Sequence, residues 1–147
     1  MNNSWRKWLI DYTLPQVWTP EFNVPPHELP RSYSWVMVGR NEVPFDVELD
    51  AYIKSGFSNV EYLNNGYFVI KYEVGDYISE HTDYAGDNIA TYVCELQASQ
   101  CETGFMSGGV GYKEHWYGNT IKHGVDRIKS GTRISFSMFG MKATTLI

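Results

Sequence analysis

The sequence predicts an all-β core of jelly-roll type with a flanking helix, and three observations lead to it. Eight or so short strand-like segments are separated by turn residues, a spacing that suits closure into a barrel with few exposed edges. Aromatic residues make up 16% of the chain, which suits a β-rich core with a stacked pocket. The run from Arg133 to Met138 alternates strictly, with Arg133, Ser135 and Ser137 on one face and Ile134, Phe136 and Met138 on the other. A chain of 147 residues fits one domain and is long enough for a substantial core.

Taken in order, residues 1–40 are expected to wrap the barrel. Trp5, Trp8 and Leu9 suit a short helix, after which Pro15, Pro20, Pro25, Pro26 and Pro30 interrupt regular structure. His27, beside two prolines, reads as an exposed loop residue, and Ser34 to Val38 reads as a strand. The tryptophans are expected to pack rather than to act. Residues 41–66 hold a support helix and the start of a hairpin. Asp46 is the N-cap candidate, Val47, Leu49, Tyr52 and Ile53 have mixed helical spacing, and Gly56 is the stop. Val60 to Leu63, Asn65-Gly66 and Tyr67 to Val74 read as a hairpin with a primed turn. Ile89 to Gln97 is a strand with Thr91, Val93 and Glu95 alternating against Tyr92, Cys94 and Leu96. The Gly- and Ser-rich stretch from Ala98 to Gly111 is followed by strands at Tyr112 to Tyr117 and Thr120 to Val125, and the Arg133 strand closes the core.

Composition removes several classes of function. A net charge of -5 argues against a broad nucleic-acid surface, because phosphate neutralisation needs clustered Lys and Arg. No apolar run has the length needed to cross a bilayer, and the N-terminus lacks the apolar core of a secretory signal, so a cytoplasmic location is expected. Cys94 and Cys101 do not make a disulfide framework or a zinc knuckle; they read as a core thiol and a loop thiol.

The chemistry concentrates in two stretches. His81 and Asp83 stand two positions apart, and on a strand such side chains share a face, so both reach one metal ion. A further imidazole, offered by His123, completes the two-histidine, one-carboxylate set of non-haem Fe(II) oxygenases, which leaves coordination positions open. His115 is the rival for that third place. An arginine and hydroxyls on the inner face of a strand need an anion, and a dicarboxylate meets Arg133 with two charge-assisted bonds and Ser135 with a third.

The order Tyr72-x-x-Gly75, His81-x-Asp83, His123, Gly131-x-Arg133-x-Ser135 resembles the Fe(II)/2-oxoglutarate-dependent dioxygenase superfamily, and its Tyr-x-x-Gly lead-in is most similar to the prolyl 4-hydroxylase-like branch. The likeness covers residues 67–139, where it implies a double-stranded β-helix core, and three positions of Glu102-Thr-Gly-Phe105 resemble a segment of that branch. It implies Fe(II) held by His81, Asp83 and His123, and 2-oxoglutarate held by Arg133, Ser135 and Tyr72. It further implies dioxygen as reactant, succinate and carbon dioxide as products, and hydroxylation of a peptidyl residue such as proline. The Asp83 carboxylate favours hydroxylation over halogenation, because related halogenases lack it. Small molecules and nucleobases are the alternative substrates, and a non-catalytic jelly-roll binding module is the alternative of another class. The prolyl hydroxylases usually carry lysine where this chain has Arg133. The chain is also short for the superfamily, so self-association is one way of covering the barrel. The loop Ala85 to Asn88 and the segment His115 to Tyr117 are expected to border the substrate entrance.

Overall fold

The structure is a computed structural model that describes residues 4–22, 29–83, 86–102 and 113–142. Expectations for His27, for Ala85 and for residues 103–112 lie outside that set. Helix α1 (Ser4–Thr13) buries Trp5 and Leu9, one turn apart, and Thr13 Oγ1 donates to the Leu9 carbonyl at 2.7 Å. Strand β1 (Thr19–Phe22) then pairs with β2 (Arg31–Gly39) in the register Thr19 with Trp35. Pro20 does not break β1 as expected, because β1 pairs only with β2 and an edge strand tolerates a missing donor. Nor is all of residues 1–40 a wrapping segment. β2 lies inside the sheet, paired with β4 (Gly66–Tyr72) from Ser34 to Gly39 and with β5 (Tyr77–His81) at Arg31.

Helix α2 spans Asp46–Ser55 and buries Leu49 and Ile53. Asp46 is its first residue rather than its cap, because its carboxylate is engaged elsewhere: it accepts from Arg40 Nε at 2.7 Å and from the Tyr67 hydroxyl. Gly56 does end the helix, but in a right-handed conformation (φ -87°), so left-handed freedom is not its reason. A Cβ there would lie 2.3 Å from the Trp116 ring, whose Nε1 donates to the Ile53 carbonyl at 2.8 Å. The indole thus takes up a helix-end carbonyl and needs a residue without a side chain beside it.

Strand β3 (Tyr62–Leu63) pairs with β11 (Arg133–Met141), not with β4, so the expected hairpin is absent. Neither Asn65 nor Gly66 has the positive φ a primed turn requires. Asn64 instead clamps the crossing, its Oδ1 accepting from Phe139 N at 2.7 Å and its Nδ2 donating to the Gly66 carbonyl at 2.8 Å. Gly75 does occupy a left-handed turn position (φ 91°) between β4 and β5.

The remaining strands are β6 (Asn88–Gln97), β7 (Gln100–Cys101), β8 (Glu114–Gly118), β9 (His123–Val125) and β10 (Ile128–Ser130). Cys101 therefore sits in a short strand rather than a loop. The main sheet runs β8-β6-β11-β4-β2-β5-β9, all antiparallel, and β7 pairs with β10. This is a curled jelly roll, with α1 and α2 on its outer face.

The alternation of β11 decides what lies on each side. Ile134, Phe136 and Met138 join Leu9, Leu49, Ile53, Tyr67, Val69, Tyr92 and Cys94 in one apolar core beneath the helices. Each such side chain contributes about 1.5–3 kcal/mol when fully buried. Arg133, Ser135 and Ser137 face the other way, into a cavity of about 160 Å³ between the curled layers. A smaller apolar cluster of Tyr72, Val125 and Ile128 packs beside it.

Candidate metal centre and its pocket

His81 is the last residue of β5 and Asp83 lies two positions on, just beyond the strand, and both side chains line one cavity. His123 opens β9 directly opposite His81 in the strand register, which brings the two imidazoles to 4.4 Å between ring centres. His81 Nε2 lies 3.4 Å from Asp83 Oδ1, and His123 Nε2 lies 3.3 Å from Asp83 Oδ2.

The ring orientations are set from behind. His81 Nδ1 is 2.8 Å from the Ser79 carbonyl and His123 Nδ1 is 3.0 Å from the Ile121 carbonyl. A carbonyl only accepts, so in both rings Nδ1 carries the hydrogen and Nε2 points into the pocket. Backbone carbonyls commonly hold metal-ligating histidines in this way. Atoms bound about 2.1 Å from one ion at right angles lie about 3.0 Å apart, close to the spacing seen here. One nitrogen of each histidine and a carboxylate oxygen all lie within 4.8 Å of one another, and no other such group of three occurs among the described residues. The donor set therefore fits a divalent first-row metal. His115, on β8, does not join it.

Two hydroxyls, from Thr91 and from Tyr117 of the expected entrance segment, complete the surroundings of Asp83. Thr91 Oγ1 donates to Asp83 Oδ2 at 2.9 Å, and Tyr117 Oη lies 3.1 Å from the same oxygen and 3.2 Å from His123 Nε2. Burial disfavours the Asp83 charge, but the bonds from His123 and His81, together with the His123 charge and the Thr91 bond, outweigh it and hold the carboxyl well below its usual range. For His123, burial likewise opposes the charge, and Asp83 more than compensates, raising its pKa. Burial foremost, and then Asp83, raises Tyr117 far above an ordinary phenol.

Arg133 lines the same cavity and is 2% exposed. Its Nη1 donates to Ser135 Oγ at 3.0 Å, and its guanidinium lies 5.4 Å above the Tyr72 ring. The expectation that this buried charge needs an anion is met within the protein, since Nε donates to Glu95 Oε2 at 3.3 Å. Thr91 and Glu95 both lie on the face of β6 that their alternation with Tyr92 and Cys94 marks, and this was the signal for their roles. Tyr72 is buried in the pocket wall, and that burial raises its hydroxyl pKa. Apolar Phe68, Ile70, Ile78 and Val125 complete the wall between the two groups.

Of the residues expected at the entrance, Tyr117 is in the pocket and Trp116 is not. Trp116 points to the opposite face, against Tyr92 and Tyr52. Residues 86–87 form a turn before β6, whose first residue, Asn88, is buried and donates from Nδ2 to the Asp83 carbonyl at 2.7 Å. Among the described residues, no helix is long and apolar enough to cross a membrane.

No family model matches the chain, and no curated protein matches it in sequence. Solved structures do match in fold. A viral collagen prolyl hydroxylase from Paramecium bursaria Chlorella virus-1, in complex with 2-oxoglutarate, aligns over 98% of this chain and 92% of its own at TM-score 0.63 and 16% identity. A prolyl hydroxylase from Trichoplax adhaerens, bound to a peptide of the hypoxia inducible factor oxygen degradation domain, aligns over 96% and 80% at TM-score 0.68 and 11% identity. A Burkholderia pseudomallei oxidoreductase of the 2-oxoglutarate-Fe(II) oxygenase family aligns over 92% and 78% at TM-score 0.59 and 14% identity. The fold is that of the 2-oxoglutarate-Fe(II) oxygenases, prolyl hydroxylases among them.

Proposed function

We propose that this chain is an Fe(II)- and 2-oxoglutarate-dependent dioxygenase that hydroxylates a peptidyl residue such as proline, its residues 1–147 acting as one domain. The observation that carries the reading is the convergence of His81 Nε2, His123 Nε2 and the Asp83 carboxylate in one cavity with Arg133 and Ser135. Bound together, Fe(II) and 2-oxoglutarate supply the oxidising chemistry, with succinate and carbon dioxide as products. His81, Asp83 and His123 would hold the metal, a donor set that suits a divalent first-row ion. The Ser79 and Ile121 carbonyls keep the imidazoles in the ligating tautomer. Arg133 and Ser135 receive the far carboxylate of 2-oxoglutarate, and Tyr72 packs against that arginine while offering its hydroxyl. The apolar wall excludes water from the space between. The peptide bound by the Trichoplax neighbour supports a peptidyl substrate over a small molecule or nucleobase.

The test begins with anaerobic titration of the protein with Fe(II) and then 2-oxoglutarate. Assay of succinate formation in air follows, with a mass-spectrometric search for one added oxygen on proline-containing peptides. Succinate formation that depends on both additions supports the reading. Failure to bind either leaves a binding module on an oxygenase fold.

A further inference from the structure

Arg133, which lines the pocket, is paired with a carboxylate that a site built only to receive an anion would not need. Glu95 stands opposite Ser135 in the β6 to β11 register, and its Oε2 accepts from Arg133 Nε at 3.3 Å. The arginine is 2% exposed and the glutamate side chain 11%, so water screens the pair poorly. Thr91, which donates to Asp83, and Val93, which lines the cavity, stand four and two positions earlier on β6, so Glu95 continues their alternation beside Arg133. A guanidinium already facing one carboxylate attracts a second less strongly, because the incoming charge meets the resident one at the same short range.

We propose that Glu95 is a specificity-determining residue that lowers the pocket's preference for a charged distal group on its co-substrate. Resting on the 2-oxoglutarate reading, the inference is that 2-oxo acids with a neutral, hydrogen-bonding far end bind on nearly equal terms with the dicarboxylate. Arg133 and Ser135 present donors to either kind of oxygen. Only the extra attraction due to charge is withdrawn by Glu95. Replacing Glu95 by Gln keeps the shape and an acceptor for Arg133 Nε while removing the competing charge.

The experiment is anaerobic calorimetry of the full chain loaded with Mn(II), titrated with 2-oxoglutarate and separately with 2,5-dioxohexanoate, in which a methyl ketone replaces the distal carboxylate. The wild type should favour 2-oxoglutarate by less than about tenfold, where an uncompensated buried arginine would give far more. Glu95→Gln should raise that preference about ten- to a hundredfold, through tighter 2-oxoglutarate binding with that of the methyl ketone unchanged. A wild-type preference of about a hundredfold or more overturns the inference without reference to any variant. So does an unchanged preference in Glu95→Gln, or in Glu95→Ala should the glutamine variant not fold. Binding of neither acid to the Mn(II) protein overturns the co-substrate reading, and the inference with it.

Discussion

Tyr117 places its hydroxyl 3.1 Å from Asp83 Oδ2, across a sequence separation of 34 residues. A phenol has one hydrogen to give, and the neighbouring His123 Nε2 at 3.2 Å is a nitrogen that metal binding would claim. With a metal bound, Tyr117 is left to hold Asp83 alone. Tyr117→Phe should therefore weaken Mn(II) or Fe(II) binding about tenfold, in the range typical of groups that orient a ligand, while leaving the melting temperature of the metal-free protein nearly unchanged. Isothermal titration of both proteins checks this, and equal affinities would reduce Tyr117 to a wall residue.

The three inward-facing donors carry a sharper expectation. His81→Ala, Asp83→Ala and His123→Ala should each lose most Fe(II) affinity and all succinate formation yet keep the far-ultraviolet circular dichroism of the parent, since the apolar core lies on the other face of the sheet. His115→Ala should bind metal as the wild type does. Loss of binding in that variant alone would move the third ligand to β8.

For Arg133, charge and geometry separate by substitution. Arg133→Lys keeps the charge and loses the fork, and should weaken 2-oxoglutarate binding roughly ten- to a hundredfold. Arg133→Leu should lose more, because it leaves Glu95 as an unpaired negative charge in the pocket. Ser135→Ala should show a smaller loss. Metal affinity should persist in all three, and anaerobic titration measures both quantities.

Trp116 is a stability residue rather than an entrance residue. Trp116→Ala opens a gap between α2 and the sheet and removes the indole bond to the Ile53 carbonyl, so it should cost about 3 kcal/mol in urea unfolding. Gly56→Ala pushes against the same ring and should cost about 1–3 kcal/mol. Neither should change 2-oxoglutarate affinity in the fraction that remains folded.

Cys94 is fully buried, and that burial, the largest influence, pushes its thiol up to about 11. At pH 8 about one thiol in a thousand is then ionised, against about a quarter for an exposed cysteine. Iodoacetamide should leave Cys94 unmodified in the folded protein until the pH approaches that value or urea unfolds the chain. Peptide mass mapping distinguishes it from Cys101.

The residues of the candidate centre were legible because their chemistry is carried by type and order: His81-x-Asp83, a later His123, and Arg133 with Ser135 on one face of an alternating strand. That alternation also separated core from pocket correctly, because side-chain direction along a strand depends only on the pleat. What the sequence did not determine was everything that depends on which strand lies beside which. Asn65-Gly66 has the composition of a tight turn, yet β3 found its partner in β11, some 75 residues from Asn64 by the Phe139 bond that locks the crossing. Tyr117 and Thr91 meet Asp83, and Trp116 caps α2, only because β6 and β8 pair in one register and the sheet curls over. Glu95 reads as one more strand residue until β11 brings Arg133 against it. Local pattern sets the direction of a side chain, while its partner is chosen by long-range pairing, which no short window of sequence contains.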